Sequence, residues 1–253
     1  MNCKPTCTFS DVVVLAIHLA GSLALEGLVC PVVQQSEAMH KALANGKTFK
    51  TLSTNDVPKD VKAEAALLVC TGTDLFYNKR RHLDSLKKIK ESIAIDPRIP
   101  QAYGIIASYF VDVSKSPIEA VPYLNAGIKA CPKSGNIHYE LGRVFGETAQ
   151  YEKAIEQYEA SLLLGTEYPA SSYFNIGNAH SHLGHMAQSI EAYRNALSAD
   201  ETHLGAQRNL VIAYFKTDDR KSAIFEAERL VRLDRNGKNG AWAQEFLARF
   251  KAR

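Results

Sequence analysis

Three histidines, His180, His182 and His185, crowd one short stretch. Imidazole is the side chain best suited to binding a metal or moving a proton near neutral pH. Their spacing works against a shared ion, because residues i and i+2 of a helix point about 200° apart and chelation needs side chains that converge. His180 falls in a core-type position, His182 on the opposite face and His185 beside a turn. The cysteines at positions 3, 7, 30, 70 and 131 show neither a CxxC spacing nor a Cys/His alternation. Once the first segment is removed an odd number remains, which argues against a disulfide framework and for thiols. No glycine-rich phosphate loop, nucleophile elbow or pair of carboxylates stands at a catalytic spacing. These residues point to no enzyme, no metal and no cofactor.

The chemistry therefore has to come from a surface. Of 253 residues, 46% are hydrophobic and 23% charged, enough for a sizeable core. A net charge of +3 is too weak to argue for nucleic acid, which needs a concentrated basic face. Lys79, Arg80, Arg81, Lys87, Lys88 and Lys90 make one region basic, while Glu140, Glu147, Glu152, Glu156 and Glu159 make another acidic. A solvated outer face accounts for this grading better than a phosphate or membrane contact.

Lys4, the apolar run Val12 to Ala20 and the small-x-small triplet Ser22-Leu23-Ala24 give residues 1–24 the form of a secretory signal peptide. That predicts the periplasm or the periplasmic face of an outer membrane. Two alternatives stand beside it: a lipoprotein signal with Cys30 lipidated, and a start placed too early, which would leave the protein cytoplasmic. The membrane is then touched only through such a lipid anchor. Residues 25–65 form an N-terminal extension, with a short helix over 36–43 and a loop over 45–59.

A period of about 34 residues organises the rest. His138, Leu141, Gly142, Phe145, Ala154, Tyr158 and Ser161 face Tyr173, Ile176, Gly177, His180, Ser189, Tyr193 and Ala196 at an offset of 35. The pattern continues in Leu210, Val211, Tyr214, Ala223, Ala227 and Leu230. Upstream it runs through Tyr103, Ile106, Ala107, Phe110, Ala120, Leu124 and Gly127. Small residues recur where paired helices must touch and large ones fill the gaps, so each unit buries its apolar face against the next. Trp242, Phe246, Leu247 and Phe250 lie at helical spacing and read as a cap over the last unit.

These residues resemble the tetratricopeptide repeat family. The resemblance implies an all-α fold, a right-handed α-solenoid of about five helix-turn-helix units. The units are a degenerate one at 66–99, then 100–134, 135–169, 170–203 and 204–236, with a C-terminal capping helix at 237–253. In the degenerate unit Gly72 and Thr73 stand where a large apolar and a small residue usually sit. In this family the first helix of each unit lines the concave face. The resemblance nominates Ile105, Ser108, Tyr139, Arg143, Phe174, Asn175, Asn178, His182, Arg208, Asn209, Ile212 and Phe215 as partner-binding residues. An aromatic and amide surface with two arginines suits an extended segment or an amphipathic helix of a partner protein. Domains of this family that clamp a chaperone's terminal carboxylate need a lysine where Phe174 stands and a basic residue where Gly205 stands, so that role is not expected.

An export signal followed by such repeats also resembles the type IV pilus pilotin lipoproteins, which assist assembly of an outer-membrane secretin. Tyr168-Pro169 with Phe174-Asn175-Ile176-Gly177 is similar to their mid-chain junction. The implied role is a non-enzymatic scaffold that helps an envelope complex assemble. A cytosolic adaptor and a non-catalytic subunit of an envelope enzyme complex are the alternatives.

Overall fold

The computed structural model describes residues 27–29, 49–51 and 62–251. The signal segment 1–24, Cys30 and the helix expected over 36–43 lie outside the described residues. Strands β1 (Gly27–Val29) and β2 (Phe49–Thr51) pair in parallel, Gly27 opposite Phe49 and Val29 opposite Thr51. The second falls where the sequence suggested a loop, at a β-prone Phe-Lys-Thr flanked by turn formers.

The other described residues form a helical repeat, as expected from the sequence. The chain divides into two compact units, 1–137 and 138–253. The first holds α1 (Ala63–Tyr77), α2 (His82–Ile95), α3 (Pro100–Ser108) and α4 (Val121–Ala130). The boundary falls inside α5 (Gly135–Glu147). The second unit continues through α6 (Tyr151–Leu164), α7 (Pro169–His182), α8 (Met186–Ala199), α9 (Leu204–Lys216), α10 (Arg220–Leu233) and α11 (Lys238–Lys251).

Within each helix pair a small residue receives a large one. A Cβ added to Gly142 would lie 2.7 Å from the Tyr158 ring, and one added to Gly177 would lie 2.5 Å from Tyr193. Both pairs span sixteen positions. One repeat later the sizes exchange, and Val211 and Ala227 share a fully buried cluster with Leu230 and Ala243. In the first unit Gly72 receives Ile89 and Gly127 receives Tyr103. Serine makes the same approach polar, since Ser85 Oγ donates to Gly72 O at 2.7 Å and Ser189 Oγ to Gly177 O at 2.9 Å. A buried hydroxyl needs such a partner, and a helix carbonyl has a spare lone pair to offer.

The turn inside each pair is a second repeat. Arg80, Lys115, Ala149, Gly184 and Asp218 all have φ between 53° and 78°, at intervals of 34 or 35 residues. The left-handed residue lets the next amide turn back onto the helix just completed. His185 N donates to His180 O, Gln150 N to Phe145 O and Asp219 N to Tyr214 O, each at 2.9 Å. The second pair reaches its turn by a longer route, a π-turn over Tyr109–Val113 and a 3₁₀ turn over Pro117–Ala120. Pro117 and Pro122 lack the amide that an uninterrupted helix would need.

Asp96 closes α2 in the first unit. Its buried carboxylate accepts from Lys62 N at 3.1 Å and from Arg98 N and Nε, both at 3.0 Å. The Arg98 guanidinium holds it at about 2, against burial, which pulls the other way. Cys70 is disulfide-bonded, which corrects the expectation of thiols throughout. An odd cysteine count excludes complete pairing but leaves room for one bridge. Cys131 keeps its thiol, 3.7 Å from Pro97 O.

Candidate functional site

A polar site lies in the second unit. A cavity of about 140 Å³ opens between α7, α8 and α9, lined by Asn178, Ser181, His182, Tyr193, Asn209, Ile212 and Ala213. Helix geometry explains the set. Asn178, Ser181 and His182 are one turn apart on α7, and Asn209, Ile212 and Ala213 repeat that spacing on α9. Tyr193 reaches in from α8 because Gly177 leaves its ring room to lie against α7.

Three of these side chains form one network. Tyr193 Oη and Asn209 Nδ2 both donate to Asn178 Oδ1, each at 2.8 Å. Burial pushes the Tyr193 hydroxyl above its usual range, so it stays protonated and donating. With Asn178 Oδ1 committed twice, Asn178 Nδ2 and Asn209 Oδ1 carry no hydrogen bond among the described residues, and neither atom is walled off from solvent. The Asn178–Tyr193–Asn209 network thus leaves an amide donor and an amide acceptor open in a cavity whose lining also carries Ser181 and His182 but no carboxylate, lysine or arginine.

Of the residues nominated from sequence, Asn178, His182, Asn209 and Ile212 meet at this cavity. His182 stacks flat on Tyr151 at 4.6 Å. Phe174 lies beside them, its ring 6.1 Å from Tyr193 and 4.8 Å from His203. Tyr139 is half-buried, and burial pushes its hydroxyl above the usual range while Ser171 and Asn175 pull the other way. Tyr139 also faces Tyr168 at 4.8 Å, and Arg143 pairs with Glu140 at 2.8 Å. Arg208 lies over the Trp242 ring at 4.8 Å, while Phe215 meets Phe246 and Phe250 edge-on at 5.7 and 5.3 Å. Ile105 and Ser108 sit in the first unit and are buried there. Ser181, Tyr193 and Ala213 were not nominated. Tyr193 reads in sequence only as a packing residue, because its ring fills the gap at Gly177 while its hydroxyl serves the cavity.

The histidines do not converge. The His180 and His185 rings are 5.8 Å apart, whereas His182 faces Tyr151. His180 Nδ1 is buried without a partner, and burial, aided by His185, lowers the basicity of the ring. Among the described residues no group of three His, Cys, Asp or Glu side chains could hold a metal ion. No helix among them is long and apolar enough to cross a membrane.

The repeat seen in packing and turns is matched by the tetratricopeptide repeat family over residues 135–164 and 170–203. Residues 135–164 and 170–203 are tetratricopeptide repeats. Comparison with curated proteins found no match. Among solved structures, MamA from Desulfovibrio magneticus RS-1 is similar at 19% identity and a TM-score of 0.60, over 70% of this chain and 99% of that one. YrrB, a tetratricopeptide repeat protein with an unusual peptide-binding site, is 17% identical with a TM-score of 0.56, over 83% of this chain and 98% of its own. PilW, a type IV pilus biogenesis factor, is 12% identical with a TM-score of 0.56, over 75% and 94%. At these identities they share the tetratricopeptide repeat fold. Such repeats are scaffolds for protein–protein contact, and that is the class of function the fold brings here.

Proposed function

We propose that this chain is a non-enzymatic tetratricopeptide scaffold that holds an extended segment of a partner protein across the Asn178–Asn209 cavity, and so assists assembly of a cell-envelope complex. The observation that carries the reading is the donor and acceptor left open by the Asn178–Tyr193–Asn209 network. A peptide group offers the complementary acceptor and donor, so a passing main chain satisfies both, while Phe174 and Ile212 supply apolar contact.

The signal-like pattern of residues 1–24 supports an envelope role, and the disulfide at Cys70 suits an oxidising compartment. PilW's part in type IV pilus biogenesis suggests the sharpest form, a pilotin whose partner is an outer-membrane secretin.

Crosslinked affinity capture from native membranes tests the site when wild type is compared with the Asn178→Ala, Asn209→Ala double variant. Loss of a captured partner with helical circular dichroism retained is the expected outcome. Equal capture by both proteins removes the cavity from the reading. Intact Met1 on protein recovered from the cytosol removes the envelope, and turnover by the purified chain removes the non-enzymatic role.

A further inference from the structure

One cation near the cavity has no counter-charge. Arg208 precedes Asn209 on α9 and lies one turn before Ile212, yet it is not part of the cavity lining. Its guanidinium lies over the Trp242 ring with Cζ 4.8 Å from the centroid, and Nε is shut off from solvent with no acceptor. None of its N–H groups donates a hydrogen bond or joins an ion pair among the described residues. Glu226 on α10 is engaged elsewhere, since it accepts from Gln207 Nε2 at 2.6 Å and faces Arg229 at 3.9 Å.

A guanidinium already stripped of part of its water, without an anion, is a costly arrangement that an incoming carboxylate would relieve. Stacking on an aromatic face fixes its plane and leaves the N–H edge for a bidentate acceptor. Phe246 stacks on Trp242 at 5.6 Å and Phe215 meets Phe246, so the platform beneath Arg208 is held from both α9 and α11.

We infer that Arg208 is an anion subsite that takes the side-chain carboxylate of an aspartate or glutamate in the segment bound at the Asn178–Asn209 cavity. The inference rests on the segment-binding reading above and adds the chemistry of the partner. A chain-terminal carboxylate does not fit, because Arg208 stands outside the cavity whose amides would hold the adjoining peptide group. The acidic group therefore sits on a side chain, apart from the main chain in the cavity.

The test is titration of the full chain, isotope-labelled, with three probe peptides: acetyl-Ala-Ala-Glu-Ala-Ala-amide, its Gln counterpart, and the Gln counterpart with a free C-terminus. The Arg208 Nε–H resonance reports the subsite, and the Asn178 and Asn209 side-chain amides report the cavity. The Glu peptide is expected to shift all three saturably and to bind roughly tenfold tighter than the capped Gln peptide. Arg208→Gln should abolish that preference, and Arg208→Lys, which keeps the charge but not the flat fork, should reduce it. Movement of the amides without Arg208, or equal affinity for Glu and Gln, overturns the subsite and leaves the cavity reading intact. A response confined to the free C-terminus overturns the side-chain assignment. Silence at all three residues removes both readings.

Discussion

Tyr193 touches two sites at once: its ring fills the space above Gly177, and its hydroxyl donates to Asn178 Oδ1 at 2.8 Å. Packing and recognition therefore share one side chain. Tyr193→Phe keeps the ring and should cost about 1 kcal/mol of stability. Because Asn178 loses one of its two donors, segment binding should weaken as well. Urea unfolding beside peptide titration separates the effects, and unchanged binding would show that the hydroxyl is not part of recognition.

Gly177→Ala should destabilise by roughly 1 to 3 kcal/mol, since the added methyl would press on the Tyr193 ring. Gly104 is the control, because nothing lies within 4 Å of a Cβ added there. Gly104→Ala on α3 should stabilise by about 0.5 to 1 kcal/mol through the unfolded chain. Thermal melts of both variants moving in the same direction would contradict the packing described.

Turn conformation makes a prediction that runs against ordinary glycine substitution. Ala149 has φ of 57°, a region that L-residues enter at a cost. Ala149→Gly should gain about 0.5 to 1 kcal/mol, and Gly184→Ala should lose about as much. A drop in melting temperature for Ala149→Gly would mean that the turn is not held left-handed.

Acid should act on the first unit through Asp96. Its carboxyl is held at about 2, below the usual 3.8, so its stabilising contribution is complete above pH 4 and fades as pH falls toward 2. Asp96→Asn should cost on the order of 1 to 2 kcal/mol at neutral pH, discounted because Arg98 is partly exposed. The gap between wild type and variant should close in acid, and a gap independent of pH would assign the effect to packing.

Cysteine chemistry is directly countable. Cys131 should react with a maleimide in the folded, unreduced protein, and Cys70 only after reduction and unfolding. Mass spectrometry of the labelled peptides reads both, and labelling of Cys70 without reductant would refute its disulfide.

Sequence carried much of this organisation, for identifiable reasons. Gly142 and Gly177 were legible as helix contacts because a glycine mid-helix, opposite a tyrosine sixteen residues on, has few other uses. Asn178 and Asn209 were legible through the resemblance, whose concave positions they fill. The periodic left-handed turns were not legible, since only Gly184 among the five positions carries the residue that announces such a backbone. The second role of Tyr193 was hidden for a similar reason: an aromatic in the packing register gives no sign of where its hydroxyl points. Arg208 was read as a groove residue, but its seat on Trp242 depends on a contact between α9 and α11 that no local spacing encodes.

The exchange of sizes between Gly177 with Tyr193 and Val211 with Ala227 limits how this chain can be re-engineered by shuffling. A lone helix grafted from one repeat into its neighbour would set Tyr193 against Val211, a collision, or leave Gly177 facing Ala227 across a void. Chimaeras should succeed only when both halves of a hairpin travel together, which makes the hairpin, not the helix, the smallest transplantable part.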